Sequence, residues 1–342
     1  MAENPPVYPL ITEPVLKSKI WGGKKLEELY NYPMSRNAKI GEAWIAADLP
    51  EGSCRISNGP YSGRTLSDVS RAWGEYLIGT GWKNPATQGR YPLLVKFLDA
   101  QDDLSVQVHP GQEDCQKYFP KEFSKDESWV VLHAEPGAGI LYGFQPGTNL
   151  ETFDSLLAQG KVMDCLRKVE VKAGDVFHIA PGKVHALCKG VVILEIQEPS
   201  DTTFRIYDYG RLGEDGKPRQ LHLDASRKVM KFDYQEEPRI LPETNETSWG
   251  EHEILMNIPS YRIERASLNS ELQWNVNPAT TQTLICLDGN FTLQAAGEPF
   301  TIHKGECCVL PASLGSVQLI PLSSHNQIVL AGLGGIPILN HF

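Results

Sequence analysis

The chain has 342 residues, a formal net charge of −10 and 41% hydrophobic residues. Its length and apolar content are enough to bury full cores, which excludes a disordered chain. Its negative balance argues against nucleic acid or an anionic membrane as a general partner, because both are read through Lys and Arg clusters, so an anionic substrate would have to meet a local basic patch.

In chain order, Met1 to Leu10 carries Pro5, Pro6 and Pro9 and lacks both a basic start and an unbroken apolar stretch. This predicts no signal peptide, and the absence of any apolar run of about 18 residues predicts no membrane span. A cytoplasmic location is the expectation. The seven cysteines, Cys54, Cys115, Cys165, Cys188, Cys286, Cys307 and Cys308, form an odd set without a C-x-x-C pair. They read as reduced, partly buried thiols rather than a disulfide frame.

Thr65 to Ile78 places Leu66, Val69, Trp73, Tyr76 and Leu77 at helical spacing, which predicts a helix. Tyr91 to Asp99 and Leu104 to Pro110 then read as buried strands joined at Asp102 and Asp103. The segments WVVLHAEPGA, KVEVKAGDVFHIAP and GVVILEIQEPS continue in the same style. Between them, Thr148 to Leu157 predicts a second helix, opened by a Thr148/Glu151 capping box. The polar, proline-bearing stretch Gln235 to Gly250 reads as a linker or a long surface connection. Beyond it, short alternating segments with turns such as Asp288-Gly289-Asn290 predict an all-β module.

A weak internal repeat joins the two parts. Gly174 to His185 aligns without gaps on Gly305 to Ser316, each a Gly-acidic turn, a strand and a Pro/Gly/Ser bend. Ser316 then stands where His185 stands, so metal chemistry belongs to the first copy.

Gln107 and His109 lie two apart in a β-rich run, so both side chains point to one face. Glu127 opens the strand to His133, and His185 follows the Pro181-Gly182 bend. Imidazole and carboxylate are expected zinc donors, and three such groups with an open position suit a catalytic site. His133, His178 and His222 compete and read as structural. Spacing alone does not select the set, and His109, Glu127 and His185 are also a two-histidine, one-carboxylate group, the facial triad of Fe(II) oxygenases.

Several runs, in order, decide between these readings: IWGG (Ile20 to Gly23), IGEAW (Ile40 to Trp44), PLLVKFLDAQDDLSVQVHP, SKDESW, AGDVFHIAPGKVHAL and EIQEPSDTTFRIYDYGR. Together they resemble the type I mannose-6-phosphate isomerases of the short bacterial form, which belong to the cupin superfamily. The resemblance implies a mainly β fold of two cupin jelly-roll barrels, with a small helical insertion in the N-terminal catalytic half. It divides the chain into a catalytic domain, residues 1–236, and a C-terminal cupin domain, residues 250–342, without metal ligands. One local swap, Ala180-Pro181-Gly182 for the family's Pro-Ala-Gly, leaves His185 in register.

The resemblance further implies one zinc per chain on Gln107, His109, Glu127 and His185, with Arg205 catalytic. The expected reaction interconverts mannose 6-phosphate and fructose 6-phosphate by moving a proton between C1 and C2 through an enediol. Glu195 and Lys125 match charged positions in the family's pocket and join Arg205 as catalytic candidates; which group takes the proton stays open. Lys96, anomalous in an apolar strand, is a substrate-binding candidate with Trp21, Glu42 and Lys183; Trp44 matches a motif position, and Lys125, Lys183 and Arg211 are candidate phosphate partners. Two alternatives remain: an Fe(II) oxygenase, against which Gln107 and the phosphate-suited cations speak, and a metal-binding sugar-phosphate cupin without turnover, a sensor or regulatory subunit, against which the presence of Arg205 and Glu195 speaks. The expected partner is a small sugar phosphate and the expected state a monomer or weak homo-oligomer.

Overall fold

Strand Leu94–Ala100 carries the plan of the molecule in its alternation. Val95 and Phe97 face one hydrophobic core while Leu98 and Ala100 face another. A strand with period two can serve two cores only if its sheet is covered on both faces. Strand Val191–Gln197 repeats the division, with Val192, Leu194 and Ile196 on one side and Val191 and Ile193 on the other.

The computed structural model describes residues 5–35, 37–83, 89–213 and 216–339. The first four residues of the N-terminal stretch and the last three of the C-terminal module lie outside them. The protein is mainly β. Leu94–Ala100 and Val191–Gln197 belong to an antiparallel seven-stranded sheet ordered Arg239–Ile240, Val176–Ile179, Glu127–Ala134, Val191–Gln197, Leu94–Ala100, Ile40–Ala46, Val15–Gly23. Facing it is a five-stranded sheet ordered Leu166–Glu170, Gly139–Phe144, His185–Leu187, Val106–Val108, Phe204–Tyr207. Trp129, Phe177, Ile140 and Tyr142 fill the space between these two sheets.

The C-terminal half repeats the arrangement with an eight-stranded and a four-stranded sheet, whose shared core includes Trp274, Leu284, Phe291 and Leu319. The seven- and eight-stranded sheets pack back to back through Phe97, Leu194, Ile285 and Val329. The layer order is therefore five, seven, eight and four strands. Helices Leu150–Ala158 and Leu223–Val229 cover the outer face of the five-stranded sheet through Phe153 and Val229.

Strands Leu10–Glu13 and Arg55–Ile56 join the eight-stranded sheet, Leu10 pairing with Val309. The N-terminal segment thus crosses between the two halves. Three local expectations need correction. The helix over Thr65 to Ile78 is two pieces, Leu66–Trp73 and Glu75–Ile78, broken at Gly74 with φ of 52°. The second helix is Leu150–Ala158, capped by the Asn149 side chain accepting the Thr152 N–H, so Asn149 takes the place expected of Thr148. The stretch Gln235 to Gly250 is more than a linker or surface connection: Arg239–Ile240 pairs with Val176–Ile179, and Thr244–Thr247 pairs with Gly250–Asn257. The repeat is structural as well as sequential, since aligned Val176–Ile179 and Cys307–Leu310 are both strands, and His185 and Ser316 each open the next.

The C-terminal half encloses a charged cluster. Glu264, fully buried, accepts from His252 Nε2 at 2.9 Å, from Ile338 N at 3.0 Å, from Leu339 N at 2.9 Å and from Arg262 Nε. Burial opposes its ionisation, but the His252, backbone and Arg262 donors outweigh this and hold its carboxyl below the usual range. The same tail passes Ile258 so closely that a Cβ on Gly334 would stand 1.7 Å from its carbonyl oxygen. Removing the carboxylate strands three donors, on His252, Ile338 and Leu339, and the buried Arg262 cation. Glu264→Ala is expected to cost about 3 kcal/mol or more in urea unfolding; a loss below about 1 kcal/mol would contradict this role for the cluster.

Candidate metal centre and active site

The inner faces of the five- and seven-stranded sheets bring the polar groups together. Gln107 pairs directly with His185 on one side and Arg205 on the other, so all three project from one face of the five-stranded sheet. From the opposing sheet come Glu127, Lys96 and Glu195, with Gln197 opposite Glu127 and Glu195 opposite both Lys96 and Trp129. His109 and Lys125 lie just beyond strands Val106–Val108 and before Glu127–Ala134.

His109, Glu127 and His185 each offer a donor atom, all within 4.8 Å of one another, and this is the group that can hold a metal among the described residues. His185 Nε2 stands 3.3 Å and His109 Nε2 3.6 Å from the Glu127 carboxylate. Each ring donates its Nδ1–H to a backbone carbonyl, His109 to Thr202 O and His185 to Lys183 O, both at 2.8 Å. That fixes the tautomer and leaves each Nε2 as an acceptor, with Lys125 Nζ 3.1 Å from His109 Nε2 and the Gln107 amide 3.3 Å from His185 Nε2. Burial, together with Lys125, holds His109 well below the ordinary imidazole range, and burial holds His185 down to about 4. Both rings are therefore neutral at pH 7, as metal ligation requires.

Glu127 completes the fit. It is fully buried, yet neither oxygen accepts a hydrogen bond; the Lys125 ammonium stands 2.9 Å from Oε2 without hydrogen-bonding geometry. Lys125 supplies one positive charge beside it, and both oxygens keep lone pairs open to a metal ion. Gln107 contributes its amide beside His185, with Nε2 donating to His185 Nε2 at 3.3 Å. A half-turn of that amide exchanges its nitrogen and oxygen.

The catalytic candidates surround this group. Glu195 is clamped between Lys96 Nζ, 2.8 Å from Oε1, and the Trp129 indole N–H, 3.0 Å from Oε2, with Lys125 at 4.0 Å. Burial opposes the Lys96 charge, but Glu195 and Glu42 outweigh it and raise its pKa above the usual range. Glu42 is itself lowered to about 2: burial opposes its charge, and Lys96, Lys19 and the Trp44 indole prevail. Lys19 sits 2.9 Å from Glu42, and the indole donates to it at 2.7 Å.

Arg205 donates to Ser105 Oγ at 3.3 Å and Gln220 O at 2.9 Å, while its backbone N–H donates to His222 Nδ1. Burial, then Arg219, lowers its pKa. Arg211 and Arg219 both bind Asp208, with contacts of 2.6 Å each. Lys183 instead pairs with Asp233 at 2.6 Å and lies over the Tyr142 ring. Trp21 is packed in the core between the two sheets. His178 pairs with Asp126 at 2.7 Å and His133 with Glu135 at 3.0 Å. The sequence reading passed over Trp129, Gln197 and Arg219. Strand alternation from Glu127 and Glu195 would have found the first two; nothing local marks the third.

Because burial holds the folded His185 at about 4, below the ordinary imidazole value of 6.5, the unfolded chain takes up the proton first as pH falls. Its contribution is intact above 6.5 and is lost down to about 4. In chelator-treated protein, wild type is expected to lose about 3 kcal/mol more than His185→Asn across that window, read as urea-unfolding free energy. Equal pH slopes would contradict a buried neutral ring.

Comparison with known proteins follows the same pattern. A family model described as "Phosphomannose isomerase type I, catalytic domain" matches residues 10–135. The chain is 32% identical to the probable mannose-6-phosphate isomerase GmuF of Bacillus subtilis over 90% of its length and 95% of the relative's. It is 33% identical to mannose-6-phosphate isomerase ManA of the same organism, over 91% and 95%. The crystal structure of a Bacillus subtilis mannose 6-phosphate isomerase superposes with a TM-score of 0.85 at 27% identity, covering 94% of this chain and 99% of that one. A mannose 6-phosphate isomerase structure described as holo and zinc bound shares the fold, with a TM-score of 0.71 at 16% identity over 95% and 99%. This chain, with its buried His-Glu-His group between two facing sheets, belongs to the type I mannose-6-phosphate isomerase family.

Proposed function

We propose that the protein interconverts mannose 6-phosphate and fructose 6-phosphate, moving a proton between C1 and C2 through an enediol, with one zinc ion held by His109, Glu127, His185 and the Gln107 amide oxygen. One observation carries this reading: a carboxylate buried between two neutral imidazoles without a hydrogen bond on either oxygen. When bound, zinc supplies Lewis acidity toward the sugar's carbonyl and neighbouring hydroxyl.

The chain's own groups divide the remaining work. Lys96 is held protonated and so cannot serve as the base. The imidazole Nε2 atoms face the metal group. Glu195 is left to carry the proton: its Oε2 is fixed by the Trp129 indole, while its Oε1 faces Lys96 and accepts no hydrogen bond. Removing a proton beside a carbonyl builds negative charge on the sugar oxygens, and fixed cations in a dry site stabilise it. Lys125 and Arg205 supply that charge. Arg211 and Arg219 share the carboxylate of Asp208, and Arg205 has no carboxylate bound to it among the described residues, so this trio keeps a net positive charge suited to the phosphate. Lys183, neutralised by Asp233, adds less.

Ligand and stabiliser respond differently to truncation. His185→Ala is expected to lose bound zinc and isomerisation together. Arg205→Ala is expected to retain zinc while the rate falls by about 100-fold or more. Elemental analysis paired with an assay for fructose 6-phosphate checks both; full zinc and full rate in the first variant would refute the ligand set.

A further inference from the structure

Gln197 ends strand Val191–Gln197, one alternation beyond Glu195, and so lies on the same face of the seven-stranded sheet. Its cross-strand partners are Glu127 on one side and Leu94 on the other. It is fully buried. Its Nε2 donates to Glu198 O at 2.9 Å and Ser200 O at 2.5 Å. Both partners are carbonyls that can only accept, so the amide nitrogen must face them and the orientation of the group is fixed.

That leaves Oε1 turned the other way, where it accepts no hydrogen bond from the protein. Neither cross-strand neighbour can help: Leu94 is apolar and packs with Trp44 and Cys54, and Glu127 is itself an acceptor. A buried amide oxygen without a donor is costly, and such groups in native proteins call for a specific explanation. Here two acceptors, Glu127 and Gln197, stand side by side; a metal ion answers the first and leaves the second. The partner this position suits is an uncharged donor. A sugar supplies hydroxyls and little else of that kind.

We propose that Gln197 is a specificity-determining residue whose Oε1 accepts a hydrogen bond from a hydroxyl of the sugar chain beyond the reacting carbons, at C3, C4 or C5. This rests on the isomerase reading and adds a discriminating contact to it. A site built around a hydroxyl rejects the analogue lacking it, because the acceptor is then left unpaired.

The test compares mannose 6-phosphate with its 3-deoxy, 4-deoxy and 5-deoxy analogues on the zinc-loaded enzyme and on Gln197→Met, a replacement of similar length without the acceptor. In wild type one analogue is expected to show kcat/KM lower by about 10-fold or more. In Gln197→Met the parent substrate should fall by a similar factor, the penalty for that analogue should vanish, and zinc content should be unchanged. Three results overturn the proposal: no penalty for any analogue in wild type, a penalty that survives in the variant, or zinc lost from the variant. The wild-type comparison stands even where the variant fails to fold. Failure of wild type to turn over mannose 6-phosphate itself would sink the isomerase reading instead, so the two failures are distinguishable.

Discussion

The structure depends on one electrostatic constraint, the burial of the Glu127 carboxylate with no hydrogen bond to either oxygen. Removing an ion from water costs several kcal/mol even after relaxation, and a neutral pair of imidazoles does not repay it. The Lys125 ammonium, 2.9 Å from Oε2, offsets part of that cost, and a metal ion at the open lone pairs would offset the rest. The surrounding groups are consistent with that demand: Thr202 O and Lys183 O lock the imidazole tautomers, and Lys125, Lys96 and Glu195 form an adjacent run of alternating charge.

Such a site needs a rigid, dry wall, and the seven-stranded sheet provides one. Its outer face is sealed against the eight-stranded sheet of the C-terminal half, with Ser128 bonded to Tyr261 at 3.0 Å and Tyr91 to Thr283 across the junction. Ser128 lies between Glu127 and Trp129 in the chain, so the contact anchors the strand that carries both. The second half thereby contributes a backing to the site. Its own interior charges, Glu264 with His252 and Arg262, are satisfied within the chain and by the C-terminal tail.

Much of this was legible in the sequence where a local period carried it. The Gln107-x-His109 pair, the Lys96 anomaly in an apolar strand and the Gly174/Gly305 repeat are all short-range patterns, and each corresponds to an element of the structure. The grouping of His109 and His185, rather than His178 or His222, depended on family resemblance, because strand pairing between distant segments is invisible to spacing. The same limit hid the crossing of Leu10–Glu13 into the C-terminal half and the pairing of Arg239–Ile240 with Val176–Ile179. A helix cap and a helix break escape apolar spacing for a different reason. Asn149 outcompeted Thr148 as a cap, and Gly74, left-handed at φ of 52°, divided a run that apolar spacing alone kept whole.

The most direct test of the account is the anomalous scattering of crystals grown with zinc, measured at the zinc absorption edge. One peak per chain is predicted, within about 2.0–2.2 Å of His109 Nε2, His185 Nε2 and a Glu127 oxygen. A peak elsewhere, or none there in crystals of zinc-saturated protein, would contradict it.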